Sequence, residues 1–175
     1  MKSLNQYITE KLKVSKKQYN YCPQTREELD DLLDQLLKER GWKANLNDID
    51  TSNITDMSEL FSFTEFNGDI SGWDVSNVTN MCEMLNGCKK LDCDLSNWDV
   101  SNVTNMEYMF CLCAKFKGKG LENWDVSNVA NMESMFLNCK KLDCDLSNWD
   151  VSNVTKMHNM FWGCPIKDEY KPKFG

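Results

Sequence analysis

Cysteines recur at one position of a repeated pattern, and regularly spaced thiols could bind a metal ion or exchange disulfides. These four are Cys88, Cys113, Cys139 and Cys164. A zinc site needs four ligands that converge on one ion, but the chain has a single histidine, His158. The nine cysteines of the chain are an odd number, which excludes complete pairing within it. Buried thiols that pack as small apolar side chains explain the pattern better, so we predict no metal and no cofactor.

Aspartates recur just as regularly. One set is Asp50, Asp74, Asp99, Asp125 and Asp150, and a second set is Asp69, Asp94 and Asp145. Columns of carboxylates could bind calcium or attract basic partners, but the glycine-rich nonapeptide of calcium-binding β-rolls is absent. An aspartate that bonds to the backbone of its own turn accounts for the pattern. We find no phosphate-binding glycine loop, no Ser-His-Asp set and no isolated acid pair, and therefore predict no catalytic residues and no enzyme.

The residues that position these side chains form a tandem repeat. The string WDVSNV begins at Trp73, Trp98, Trp124 and Trp149, and a degenerate copy begins at Ile49. This makes five units of about 25 residues, and residues 88–104 and 139–155 are identical. The spacing predicts a repeat protein, because nothing in a single-domain enzyme requires such a period.

Two apolar spacings alternate within each unit. The spacing i, i+3, i+6, i+7 and i+10 from Val103 to Cys113 predicts a short helix. Thr104 and Glu107 could cap this helix as a capping box, and Ser101 is a competing cap. The alternation in residues 91–95 predicts a short parallel strand before the turn that precedes each tryptophan. The expected fold class is therefore an α/β repeat solenoid.

A single unit is too small to fold alone. Burial of roughly seven apolar side chains at ~1.5–3 kcal/mol each yields on the order of 10–20 kcal/mol. Ordering about 25 backbone residues at ~1–2 kcal/mol each outweighs this gain. The units must therefore stack, and we expect a five-coil solenoid over residues 48–164. Stacking would align asparagine amides with the turn backbone of neighbouring coils. These asparagines are Asn53, Asn77, Asn102, Asn128 and Asn153.

Both ends of the repeat array need covering. Residues 21–47 contain an N-terminal capping helix, predicted from a Thr25–Glu28 capping box, a leucine stripe and the terminating Gly41. The same stripe could instead pair with a partner helix. Residues 165–175 form a C-terminal tail that covers less, so the chain is expected to be a monomer or an end-to-end dimer.

The distribution of charge along the chain limits the kinds of molecule that it is expected to bind. The net charge is −7, to which the basic leader of residues 1–20 contributes +4, leaving −11 for the rest. An acidic body argues against nucleic-acid binding by the repeats. No apolar stretch is long enough to span a membrane and no secretory signal is evident, so we expect no membrane contact and a cytoplasmic location.

Partner binding is sought where the units differ from one another. The segment from Lys115 through Lys117 and Lys119 to Gly120 holds an extra residue and lysines in place of acids, and we expect it to protrude. Tyr108, Leu112 and Trp162 stand where most other units have polar or small residues, so they are candidate anchors. Alternatively, these side chains pack against neighbouring units.

Two resemblances bear on function. The unit WDVSNVTNMEYMFCLC resembles the BspA-like leucine-rich repeat surface proteins, including the mycoplasma lipoprotein repeats, over about residues 47–164. This resemblance implies leucine-rich-repeat-like coils that present a face to a protein partner, usually on cell surfaces. Residues 1–10 resemble the capsid-targeting leader of internal head proteins of tailed phages, with a cleavage motif at Ile8-Thr9-Glu10. That resemblance implies a place in a virion or in a phage-infected bacterium.

The expected function is a non-enzymatic protein–protein interaction module with a protein partner. One alternative is a structural or cargo protein inside a virion. Another is an acidic inhibitor that occupies the nucleic-acid site of a host defence enzyme.

Overall fold

The computed structural model describes residues 18–174, which form a mostly irregular fold with one α-helix near the amino terminus. The helix α1 is Arg26–Arg40, and two 3-10 turns lie at Leu121–Asn123 and Asp168–Tyr170. The phage-like residues 1–10 and most of the predicted basic leader lie outside the described residues. In the described part, no helix is long and apolar enough to span a membrane.

The helix α1 begins and ends where the sequence predicts. The Thr25 hydroxyl accepts the amide of Glu28 at 3.2 Å, and the Glu28 carboxylate accepts the amide of Gln24 at 2.7 Å. Gly41 has a φ of 77° and donates its amide to the Leu37 carbonyl at 2.9 Å, which terminates the helix. The buried stripe is Leu29, Leu33 and Leu36. The predicted capping helix is confirmed as an element.

Each repeat contains a nine-residue turn segment, at residues 56–64, 80–88, 105–113, 131–139 and 156–164. The first residues of neighbouring segments form isolated parallel bridges, from Asp56 with Asn80 through to Asn131 with Lys156. The second, fourth, sixth and eighth amides of one segment then donate to carbonyls of the next segment at 2.7–3.1 Å. Four such bonds join each of the four neighbouring pairs, and we call this set the turn ladder.

The predicted helix in each repeat is wrong. In residues 105–113 alternate amides donate to the next repeat, while Met109 and Cys111 donate to the carbonyls three residues back, at 3.2 and 3.0 Å. No bonds remain for an α-helix, and Tyr108 and Leu112 adopt left-handed φ angles of 52° and 61°. The apolar residues are still buried, because the turns return the chain to the core at a similar spacing.

The predicted helix cap and strand are wrong as well. The Thr104 hydroxyl donates to the Thr79 carbonyl at 3.1 Å, and Asn105, not Thr104, accepts the amide of Glu107 at 3.1 Å. In residues 91–95, Leu91 and Leu95 are buried and Asp92 is exposed, but the segment forms no strand, and the parallel pairing in residues 18–174 is limited to isolated bridges.

Aromatic rings of successive repeats stack in the core. The rings of Phe110 and Phe136 lie 5.6 Å apart, and those of Trp124 and Trp149 lie 6.5 Å apart with planes 2° from parallel. The Trp149 indole N–H donates to the carbonyl of Leu121 in the preceding repeat at 2.8 Å. Burial of these rings is therefore shared between neighbouring repeats.

The predicted asparagine ladder is confirmed for four of its five members, whereas Asn53 donates its side-chain amide to the Gln24 side chain at 3.3 Å. Asn77, Asn102, Asn128 and Asn153 each donate a side-chain amide to a serine carbonyl in the preceding repeat at 2.7–2.8 Å. These bonds align the turns after each tryptophan and fix the register between repeats.

Candidate partner-binding surface

The repeated thiols donate to carbonyls of the preceding repeat. Cys113 Sγ lies 3.0 Å from the Leu85 oxygen, and Cys139 Sγ lies 2.9 Å from the Phe110 oxygen. Burial raises the pKa of Cys88 to about 11 and holds the pKa of Cys113 and Cys139 well above the ordinary value. A thiol that stays protonated is a poor nucleophile and a poor metal ligand. The fourth repeated thiol, Cys164, is half-buried, and its hydrogen bond with Cys139 lowers its pKa instead.

The predicted aspartate turns are confirmed. In all five repeats the first-set aspartate accepts the amide of the serine two residues later, as Asp99 does from Ser101 at 3.1 Å. The hydrogen bond from Ser152 lowers the pKa of Asp150. Among residues 18–174, no group of three or more histidine, cysteine, aspartate or glutamate side chains could hold a metal ion.

The turn segments bury some of their side chains and leave others at the surface. In the three central segments the side chains at the second, fifth, sixth and ninth positions are buried. The third, fourth, seventh and eighth positions are exposed or half-buried except at Asn86, Gly87, Cys111 and Ser134, which are buried, and we call their combined surface the turn face. Its outermost side chains are at its two ends, where Phe63 is 70% exposed and Trp162 is 63% exposed.

Large apolar side chains stand at the seventh or eighth position in four of the five turn segments, and we call this row the apolar line. Between Phe63 and Trp162 it contains the half-buried Leu112 and Leu137. Phe63 lies against the next repeat, since a Cβ on Gly87 would be only 2.8 Å from its ring. Sequence reasoning missed Phe63, although it stands at a position occupied by glycine in two other repeats.

Opposite charges flank the apolar line. On one side are carboxylates such as Glu83, which accepts the Asn86 amide at 2.9 Å. Burial, and then the carboxylates of Glu107 and Glu83, raise the pKa of Cys82 to about 11. The exposed lysines on the other side are Lys89, Lys90, Lys115, Lys140 and Lys141. Lys140 donates to the side chain of Asn138, which follows Leu137 in the sequence, at 2.8 Å, and this places Lys140 beside the line.

The predicted anchors lie on this face. Tyr108 and Leu112 are both half-buried, four residues apart in one turn segment. Trp162 is two repeats away, about 10 Å along the stack if neighbouring repeats are separated by the usual ~4.8 Å between paired strands. Leu112 and Trp162 thus both belong to the apolar line, and Tyr108 lies on the same turn face.

The predicted lysine loop is divided between two environments. Lys115 is exposed beside the apolar line, whereas Lys117 and Lys119 form ion pairs with Asp92 and Asp94 of the preceding repeat, each at 2.5 Å. Lys119 is thus the fourth member of the column predicted to hold Asp69, Asp94 and Asp145. It interrupts the row of negative charge.

The prediction that this loop protrudes is wrong. Phe116, Gly118 and Gly120 are all buried. The inserted residue is Gly120, which takes a left-handed φ of 93° immediately before the 3-10 turn Leu121–Asn123. Because glycine fits closely against Ser96 of the preceding repeat, the extra residue is absorbed without bulging outward.

A family model matches this chain twice, over residues 31–119 and 113–166. The chain belongs to the family described as Mycoplasma protein of unknown function, DUF285. The two DUF285 matches together cover α1 from residue 31 onward and all five turn segments up to residue 164. Neither a comparison with curated proteins nor one with solved structures finds a match.

Proposed function

We propose that this chain is a non-enzymatic protein-interaction module, built as a short leucine-rich-repeat-like solenoid, that binds a protein partner through its turn face. The observation that carries the proposal is the apolar line from Phe63 to Trp162, because two large aromatic side chains stay exposed on one surface of an otherwise well-buried core. Tryptophan and tyrosine are enriched at the centres of protein interfaces.

The solenoid part of the proposal is supported by the regular pairing between repeats. The turn ladder, the asparagine ladder and the stacked rings all join residues 23–27 positions apart. Each repeat thus contacts mainly the one before and the one after, as in repeat proteins whose core grows in one direction. The resemblance to BspA-like surface repeats agrees with this arrangement.

The surroundings of the apolar line indicate the kind of interface. An interface with an apolar centre and a charged rim is typical of reversible protein complexes. Here the rim is acidic on the Glu83 side and basic on the Lys115 side, so a partner with opposite charges on its two edges would bind in one orientation. Lys117 and Lys119 contribute less to binding than Lys115, because their charges are already paired with Asp92 and Asp94.

The absence of a catalytic role is also a proposal. It rests on the raised pKa of the buried thiols and on the use of both aspartate sets in their own turns. A nucleophile or general acid needs a pKa near the working pH and access to a substrate.

A site-specific photo-crosslinker tests this proposal. We would replace Trp162 with a photoreactive phenylalanine analogue in the producing cell, and in a matched variant replace Trp42, which is 43% exposed but lies outside the turn face. The proposal expects a discrete crosslinked protein from position 162 that is lost with Leu112→Ser, and none from position 42. Equal crosslinking at both positions, or none at position 162, would contradict it.

A further inference from the structure

The turn ladder has a single direction. In every neighbouring pair the amides belong to the earlier repeat and the carbonyls to the later one, as when Phe110 donates to Met135 at 2.9 Å and Phe136 donates to Met160 at 2.9 Å. The two ends of this ladder are therefore different. The last turn segment presents only amide donors along the ladder, and the first presents only carbonyl acceptors.

The donor end of the ladder is open. The amides of Met157, Asn159, Phe161 and Gly163 hold the ladder positions of the last segment, and they have no acceptor among residues 18–174. Met157 is 39% exposed, and beside it a groove of about 560 Å³ lies against Trp149 and Phe174. This end combines unpaired donors with apolar surface, which is the arrangement that invites another chain to pair.

The acceptor end is covered by α1. The segment before α1, residues 20–24, bonds to residues 48–53, and the segment after it, residues 42–44, bonds to residues 67–69. The helix between these two segments therefore crosses the first turn segment, residues 56–64. Its Arg26 donates to the carbonyl of Ser58 at 2.5 Å, a ladder acceptor. The helix thus occupies the place where the turn segment of a preceding repeat would lie.

We propose that the open donor end is a docking surface for the acceptor end of a second copy of this chain, and that α1 keeps the chain from associating with itself by covering that acceptor end. The new interface would repeat the one that already joins four pairs of turn segments within the chain. Four donors two residues apart meet four carbonyls with the same spacing. Two donor ends cannot pair in this way, because amides would face amides.

Mixing two full-length chains tests this proposal. One is the wild type, with its open donor end. The other is an open-head variant with Arg26→Ala, Leu29→Asp and Leu36→Asp to release α1, and with Met157→Pro to remove one ladder donor and block its own donor end. By light scattering after gel filtration, each chain alone should have the monomer mass of 20.4 kDa, and the mixture should give a dimer of twice that mass.

A matched control variant carries Asp31→Ala, Asp34→Ala and Lys38→Ala on the exposed side of α1, with the same Met157→Pro. It keeps the buried stripe in place and should not dimerise with the wild type. A mixture that stays monomeric, while the open-head variant keeps the near-ultraviolet circular dichroism of the wild type, would overturn the proposal. A wild type that dimerises alone would overturn it as well.

Slower amide exchange provides a second readout. In the mixture, exchange at Asn159 and Phe161 of the wild-type chain should slow at least tenfold. If the open-head variant loses its near-ultraviolet signal, a milder variant carries Arg26→Ala and Leu36→Ser in place of the three helix substitutions. When this variant is mixed with the wild type, exchange at Asn159 and Phe161 should slow by the same factor. Unchanged exchange at both amides would then refute the docking.

Discussion

The ring of Phe110 lies parallel to the ring of Phe136, 5.6 Å away and inclined by 1°, while the Phe110 amide donates to the Met135 carbonyl at 2.9 Å. One residue therefore joins two repeats through both its side chain and its backbone. Neither contact can form within a single repeat. Pairing between repeats therefore accounts both for the repeat period in the sequence and for the packing of the core.

Truncation of a central ring should be more damaging than truncation of the last one. Phe136 is fully buried between Phe110 and Phe161, so Phe136→Ala should lower the free energy of unfolding by about 3–5 kcal/mol. Phe161 is half-buried in the last repeat, and Phe161→Ala should lower it by less. Urea titration followed by tryptophan fluorescence measures both. Equal losses would show that the core does not depend on stacking between repeats.

Two glycines with left-handed φ angles should differ in their tolerance of alanine. At Gly41, with φ 77° and ψ 174°, an added Cβ meets nothing within 4 Å, so Gly41→Ala should lower the free energy of unfolding only by the roughly 1–3 kcal/mol that this conformation costs. At Gly120 the Cβ would lie 2.4 Å from the Ser96 backbone, so Gly120→Ala should lower it by at least twice as much. Thermal and urea unfolding of both variants provide the comparison. Similar losses would mean that Gly120 is not held against Ser96.

The carboxylate of Asp94 should titrate at unusually low pH. Its hydrogen bond with Lys119, and then that with Ser96, lower its pKa from 3.8 to about 2. Because the folded-state pKa lies below the unfolded one, the pairing stabilises the fold above about pH 4 and is lost as the pH falls toward 2. Carboxyl carbon shifts in NMR should show this pKa rising in Lys119→Met.

The matched control for that titration is Lys90→Met. Lys90 forms an ion pair with Glu65 at 2.5 Å and does not contact Asp94, so the pKa of Asp94 should not change. An Asp94 pKa that is ordinary in the wild type, or that moves equally in both variants, would contradict the Lys119–Asp94 pairing.

Thiol modification should follow burial. Cys22 is exposed, whereas Cys88, Cys113 and Cys139 are buried with raised pKa values. Iodoacetamide at pH 8 should therefore modify Cys22 first and the three buried thiols only after the chain unfolds, because the thiolate is the reactive form. Mass spectrometry of peptides assigns each site. Native-state modification of Cys113 at the rate of Cys22 would contradict its placement in the core.

The sequence correctly predicted the features that depend on local hydrogen bonds of particular residue types, such as helix caps and turns. Thr25 and Gly41 delimit α1, and the asparagine and aspartate columns bond as expected, because capping and turn chemistry depend on a few neighbouring residues. That the units depend on one another for stability remains a prediction from the repeat period.

The helix prediction failed because apolar spacing alone does not determine backbone conformation. A turn segment that buries Met106, Met109 and Phe110 has the same spacing as one face of a helix. The available signal was that Gly87 and Gly163 share the position of Leu112, since glycine favours the left-handed φ found there. Because that position was interpreted as helical, Phe63 was not recognised as an exposed residue of the turn face.

The lysine loop was assigned to the surface because its partners are distant in sequence. Lys117 and Lys119 are each 25 residues from Asp92 and Asp94, and they meet only once the repeats are in register. A comparison of equal positions in neighbouring repeats would have predicted both pairs.

Scalar couplings across hydrogen bonds test the turn ladder most directly. In a deuterated sample, the amide nitrogen of Phe110 should couple to the carbonyl carbon of Met135, and that of Tyr108 to the carbonyl carbon of Glu133. Coupling of Phe110 to the carbonyl of Met106, four residues back, would indicate a helix in place of the ladder and would contradict the account.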